Sequence, residues 1–131
     1  MDRLPLIKPV QKQQKTPDTR YAPRFSKQLE PIHVKEGIVV IIKVEFSSNP
    51  PPSEIIWYKD GFQMQSSEDF HIENTETSSS LKIREAFKSD SGMYQVKLFN
   101  EVGVAQTKAY VAVTPSKSKF ILFFLLKVVK I

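Results

Sequence analysis

Residues 92–113 read GMYQVKLFNEVGVAQTKAYVAV, and this stretch decides the fold. Tyr94, Val96 and Leu98 alternate with polar neighbours, as do Ala105, Thr107, Ala109, Val111 and Val113 after them. Between the two runs lies Asn100-Glu101-Val102-Gly103, a four-residue loop ending in glycine. Closing a hairpin there sets Phe99 opposite Val104, Leu98 opposite Ala105, Val96 opposite Thr107 and Tyr94 opposite Ala109. One register then sends both apolar sets to the same face, which two unrelated strands would seldom do.

Working outward from the hairpin, short apolar runs recur every eight to twelve residues from Pro23 onward, separated by turn residues. Val40, Ile42, Val44 and Phe46 alternate, then Ile55 and Trp57, Phe70 and Ile72, and Leu81 and Ile83. Asp60-Gly61 supplies a turn able to hold positive φ. The spacing predicts an all-β domain over 23–113. Within it REAFKSDSG (84–92) can make one short helical turn, with Ala86 and Phe87 packing beneath it, and Ser78-Ser79-Ser80 fits a turn. All four glycines (Gly37, Gly61, Gly92, Gly103) are assigned to turns, so none is left for a phosphate cradle.

The flanks differ from this middle. Residues 1–22 carry Pro5, Pro9, Pro17 and a QKQQK run and read as a flexible leader or linker. Residues 114–131, TPSKSKFILFFLLKVVKI, form a basic and apolar tail expected to lie outside the fold. Its apolar run is too short to span a membrane, which takes about 20 residues. Its Phe, Ile, Leu, Lys and Val density suits translated A/T-rich non-coding DNA, so read-through at the edge of a fragment of a larger protein is the expectation. Thr16-Pro17 and Thr114-Pro115 are proline-directed phosphorylation dipeptides in these tails.

Charge and composition exclude several functions. The net charge is +5, but residues 23–113 hold ten basic against twelve acidic side chains, so the basic character lies in the flanks. The domain lacks the clustered footprint of a nucleic-acid binder. Cysteine is absent, which removes disulfides, thiolate nucleophiles and cysteine-bound metals. No Asn-x-Ser/Thr sequon occurs, and Met1–Val10 has no apolar leader run. These features favour the cytoplasm. Asp69, His71 and Glu73 would share one face of a strand, but a single histidine without an identifiable supporting partner reads as a solvated face and no metal site. No serine sits in a nucleophile elbow. Catalytic residues, metal and cofactor are therefore all expected to be absent.

Taken in order, Ala22-Pro23-Arg24-Phe25, Glu36-Gly37, Asn49-Pro50-Pro51-Pro52, Trp57-Tyr58-Lys59-Asp60-Gly61, Leu81-x-Ile83-x-x-Ala86, Asp90-Ser91-Gly92-x-Tyr94 and Asn100-x-x-Gly103 resemble the immunoglobulin domain of the I-set type. The resemblance covers residues 23–113. It implies an antiparallel two-sheet sandwich whose core holds Val44, Trp57, Leu81, Tyr94 and Val96. It also implies that the Tyr94 hydroxyl bonds back to loop backbone, and that Asp90 is a loop acid pairing with a base, Lys59 or Arg84. The positions where extracellular relatives carry their inter-sheet cystine fall on Val44 and Val96. Losing such a bridge costs about 2–5 kcal/mol, and burying a valine contributes about 1.5–3 kcal/mol, so the pair offsets much of it.

Domains of this kind occur in titin, twitchin, obscurin and kettin. The resemblance therefore implies a structural, protein-binding module of a muscle or cytoskeletal scaffold, with sarcomeric partners such as actin or myosin filaments. Neither nucleic acid nor membrane is expected. With Trp57 and Tyr94 inward, Ile56, Tyr58, Phe99, Val104 and Tyr110 point outward as a candidate partner face. The competing reading is an extracellular adhesion or receptor domain with a truncated membrane segment. The missing leader, cysteines and sequons stand against it.

Overall fold

A computed structural model describes residues 16–116. Among them nine strands occur: β1 (Tyr21–Lys27), β2 (Ile32–Lys35), β3 (Val40–Asn49), β4 (Glu54–Lys59), β5 (Phe62–Gln63), β6 (Phe70–Asn74), β7 (Ser78–Ile83), β8 (Gly92–Phe99) and β9 (Val104–Thr114). One 3-10 turn, Lys88–Asp90, joins β7 to β8. The strands form two sheets, ordered β1-β3-β7-β6 and β2-β9-β8-β4-β5. Each described pairing is antiparallel except β2 with β9.

Period-2 patterning builds both inner faces. Along β3, Val40, Ile42, Val44 and Phe46 are buried while the residues between them are exposed. Along β8 and β9 the hairpin closes in the expected register, with Tyr94 opposite Ala109, Val96 opposite Thr107, Leu98 opposite Ala105 and Phe99 opposite Val104. Asp60 and Gly61 both adopt positive φ (50° and 86°) in the β4–β5 turn, where glycine is at ease and aspartate tolerable.

The middle of the sandwich contains Val44, Leu81, Tyr94, Val96 and Trp57, all 0–1% exposed. Val44 sits opposite Ser79 on β7, and Val96 opposite Trp57 on β4. The Trp57 Nε1–H donates to Ser79 Oγ at 2.8 Å, and that hydroxyl donates on to Asn74 Oδ1 at 2.6 Å. A polar link thus crosses between the sheets beside the valines. Both buried groups have partners, which removes the penalty of burying them.

Several local expectations are corrected. Ser78–Ser80 are not a turn but the start of β7. Ser79 alternates with Leu81 and Ile83 on the inner face, and its hydroxyl is used by Trp57. Ahead of the 3-10 turn, Ala86 is fully buried as expected, whereas Phe87 has an extended backbone and is 42% exposed. Gly92 is not a turn residue but opens β8. A Cβ there would meet the Asp60 carboxylate at 2.7 Å, so close approach is what calls for glycine.

The strands also reach past 23–113. β1 begins at Tyr21, because the register shift between Tyr21 and Arg24 places Pro23 in a bulge, where no ladder donor is needed. At the other end Thr114 belongs to β9 rather than to a flexible tail. It pairs with Lys35 of β2, and its carbonyl accepts the Glu36 N–H at 2.8 Å. The apolar run from Phe120 and the first fifteen residues lie outside the described residues.

Candidate functional site

The outer face of the β2-β9-β8-β4-β5 sheet follows from the inner one by alternation: every inward residue fixes an outward neighbour. Rows across β4, β8 and β9 read Glu54–Phe99–Val104, then Ile56–Lys97–Gln106, then Tyr58–Gln95–Lys108, and last Met93–Tyr110. The five residues expected to form a partner face do lie on this one surface, but they are not equally close. Phe99 and Val104 are cross-strand partners. Ile56 lies one row on, and Tyr58 one row further. Tyr110 is opposite Met93, six positions along β8 from Phe99, or about 20 Å at strand rise.

The apolar residues do not fuse into a continuous patch. Val104 is 56% and Tyr110 48% exposed, whereas Ile56, Tyr58 and Phe99 are half-buried. Between them stand polar groups absent from the expected set. The Lys97 ammonium lies 5.0 Å from the Tyr58 ring centroid, a cation–π distance. The Gln95 amide donates to Gln106 Oε1 at 2.7 Å. Among the described residues neither Lys97 nor Lys108 has a carboxylate within ion-pair distance. The surface therefore mixes aromatic, aliphatic and cationic groups, with the carboxylate of Glu54 at its hairpin end. Lys97, Lys108 and Met93 were derivable from the same period-2 rule, which marks every outward position regardless of polarity.

The loop carrying Asp90 works differently from expectation. The Tyr94 hydroxyl donates to the Asp90 carbonyl at 2.7 Å, tying β8 to the turn before it. Burial, followed by the nearby Asp90 and Asp60 charges, pushes the Tyr94 phenol above its usual range. The Asp90 carboxylate, however, pairs with neither Lys59 nor Arg84. Its Oδ2 accepts the Phe87 N–H at 2.8 Å, as a 3-10 turn requires of a nearby acceptor. Lys59 is occupied elsewhere, donating to the Ser89 carbonyl at 3.0 Å and lying 3.8 Å from Asp60.

Those side chains also line an open cleft of about 490 Å³ with Phe62, Met64 and Phe70. Its ionisable groups are engaged: Asp60 Oδ1 accepts the Met93 N–H at 2.9 Å, and Asp90 and Lys59 are bonded as above. On β6, His71 lies 3.4 Å from Glu73 with both side chains well exposed. Among the described residues no group of three His, Cys, Asp or Glu is placed to hold a metal ion, and no helix is long and apolar enough to cross a membrane.

The end of the sandwich bearing the β8–β9 hairpin receives the incoming chain. Asn100 Nδ2 donates to the carbonyls of Tyr21 (2.8 Å) and Pro50 (3.1 Å), while its Oδ1 accepts the Val102 and Gly103 N–H groups. Arg20 bridges Asp18 (2.9 Å) and Glu101 (2.9 Å). The Arg20 side chain, then its backbone N–H, holds the Asp18 carboxyl down at about 2.

Comparison with known proteins places this architecture. Residues 23–113 match the family model described as the immunoglobulin I-set domain. Smooth-muscle myosin light chain kinase of Gallus gallus is 44% identical over 93 residues, covering 71% of this chain and 5% of that protein. The muscle M-line assembly protein unc-89 of Caenorhabditis elegans is 32% identical over 98 residues, covering 74% of this chain and 1% of that protein. The chain thus spans a small fraction of these relatives. The titin domains z1z2, solved in complex with telethonin, superpose with a TM-score of 0.71 at 35% identity, covering 75% of this chain and 49% of that one. With nine strands in two sheets among the described residues, an inter-sheet core of valine and tryptophan, and a family match across more than half its length, this chain belongs to the immunoglobulin I-set family.

Proposed function

We propose that the chain is a non-catalytic spacing and docking module of a muscle or cytoskeletal scaffold, acting in the cytoplasm at the sarcomere. Its protein partner is engaged through the outer face of the β2-β9-β8-β4-β5 sheet. The observation carrying this reading is the juxtaposition there of Tyr58, Phe99, Val104 and Ile56 with two lysines that have no described carboxylate partner. Aromatic groups supply contact area, and ammonium groups without a described carboxylate partner favour an acidic protein surface. Actin filaments fit that chemistry. That domains of this fold accept protein ligands is supported by the titin pair, which binds telethonin in its solved complex. Muscle relatives also favour this reading over an extracellular adhesion domain.

Co-sedimentation with filamentous actin tests it. The wild-type chain is expected to pellet with filaments at low salt and to be released as salt rises. Lys97→Glu and the Tyr58→Ala, Phe99→Ala pair should stay in the supernatant while remaining folded by circular dichroism. A wild-type chain that never pellets, or variants that pellet equally well, would overturn the assignment of actin to this face.

A further inference from the structure

Thr-Pro occurs twice in the chain, at Thr16-Pro17 and Thr114-Pro115, and the fold treats the two oppositely. Thr114 is the last residue of β9. It pairs with Lys35, its carbonyl accepts the Glu36 N–H at 2.8 Å, and its hydroxyl donates to the Val34 carbonyl at 3.4 Å. A kinase needs its substrate hydroxyl free on an extended segment, so reaching Thr114 would require peeling β9 from β2. Thr16 through Arg20, by contrast, are all exposed and outside regular structure. Pro17 has no N–H to satisfy and a fixed φ, which suits a kinase groove lacking an acceptor at that position.

From this contrast we infer that Thr16 is a phosphorylation site for a proline-directed protein kinase, and that it governs the bridge between the incoming chain and the β8–β9 hairpin. In the reaction the γ-phosphoryl group of Mg·ATP is transferred to Thr16 Oγ1. ADP leaves, and the hydroxyl proton passes to the base of the kinase.

The consequence follows from charge. Arg20 Nε and Nη2 bind Asp18 at 2.9 and 3.0 Å, while Nη1 binds Glu101 at 2.9 Å. One guanidinium therefore already balances two carboxylates. A phosphate two residues from Asp18 adds a charge of about −1.5 to −2. It competes for Arg20 from the linker's own side and repels Glu101. The bridge to the hairpin is weakened, and the incoming segment gains freedom relative to the sandwich.

The test uses the full 131-residue chain with a proline-directed kinase of the mitogen-activated or cyclin-dependent class and Mg·ATP, sites being read by mass spectrometry. Peptides spanning each Thr-Pro serve as controls. Both peptides should be modified, whereas the folded chain should take phosphate on Thr16 alone and Thr16→Ala should take none. Absence of phosphate on Thr16 in the folded chain, an unmodified Thr16 peptide, or phosphate on folded Thr114 would each overturn the assignment. Amide hydrogen exchange at residues 20–22 then reads the bridge. Phosphorylation should speed it by about two- to fivefold, the range expected when an exposed ion pair is lost. Glu101→Gln should show the faster rate beforehand and no further change. An equal acceleration in both chains would refute control through Glu101.

Discussion

Along β8, Tyr94, Val96 and Leu98 are sealed from solvent, while Met93, Gln95, Lys97 and Phe99, one step away on the same strand, reach the opposite face. The two faces share a backbone, a register and a hydrogen-bond ladder, yet they carry different kinds of information. Inside, every side chain answers to its neighbours across about 10 Å of sandwich, and an ill-fitting group costs stability. Outside, chemistry is free to vary, because solvent accepts either a lysine or a tyrosine. The inner face therefore specifies the family, and the outer face is where one member is free to differ from another.

The sharpest way to break that distinction is Trp57→Ala. It should cost about 3–5 kcal/mol in urea unfolding, since it leaves a cavity at the centre and strips Ser79 of one hydrogen-bond partner. Next, the Val44→Cys, Val96→Cys pair should oxidise to an inter-sheet bridge and raise stability by about 2–4 kcal/mol. Failure to form the bridge would show that the valines do not face each other as the flanking Trp57–Ser79 bond suggests.

Tyr94→Phe should cost about 1–3 kcal/mol, because it leaves the Asp90 carbonyl without its donor. The same variant carries a pH signature. The folded state raises the Tyr94 pKa, so its contribution is intact below the unfolded value of about 10 and is lost as pH climbs above it. The wild-type chain should thus lose stability through that alkaline range, and Tyr94→Phe should lose less; equal slopes would remove this ionisation from the account. On the outer face the expectation inverts. Lys97→Gln and Lys108→Gln should change stability by no more than about 0.5 kcal/mol while weakening filament co-sedimentation.

The fold was legible because its strongest signals are local. A two-residue period, a glycine-ended loop and an Asp-Gly turn fix strands and registers without distant information, so the β8–β9 pairing could be derived residue by residue. The misreadings share a cause in contacts that cross the chain. Three consecutive serines look like a turn until Trp57 arrives from the other sheet to bond the middle one. Thr114 looks like tail until β2, far back in sequence, pairs with it in parallel. Asp90 looks like an ion-pair acid until the backbone of its own short turn claims the carboxylate. The outward set was only partly legible, because a search for apolar residues passes over the lysines and glutamines that divide them.

Alternation and turn chemistry were enough to determine an all-β domain over 23–113; the two-sheet sandwich, and valines at the positions where extracellular members carry a covalent bridge, came from the resemblance to the I-set immunoglobulin domain. Which polar groups are spent and which remain available was decided only in three dimensions: Ser79 consumed by the core, Lys59 and Asp90 by a turn, Lys97 and Lys108 without a described carboxylate, Thr16 open and Thr114 locked. Hydrophobic periodicity is written along the chain, but a hydrogen bond or an ion pair depends on where the chain returns, and folding alone sets that distance.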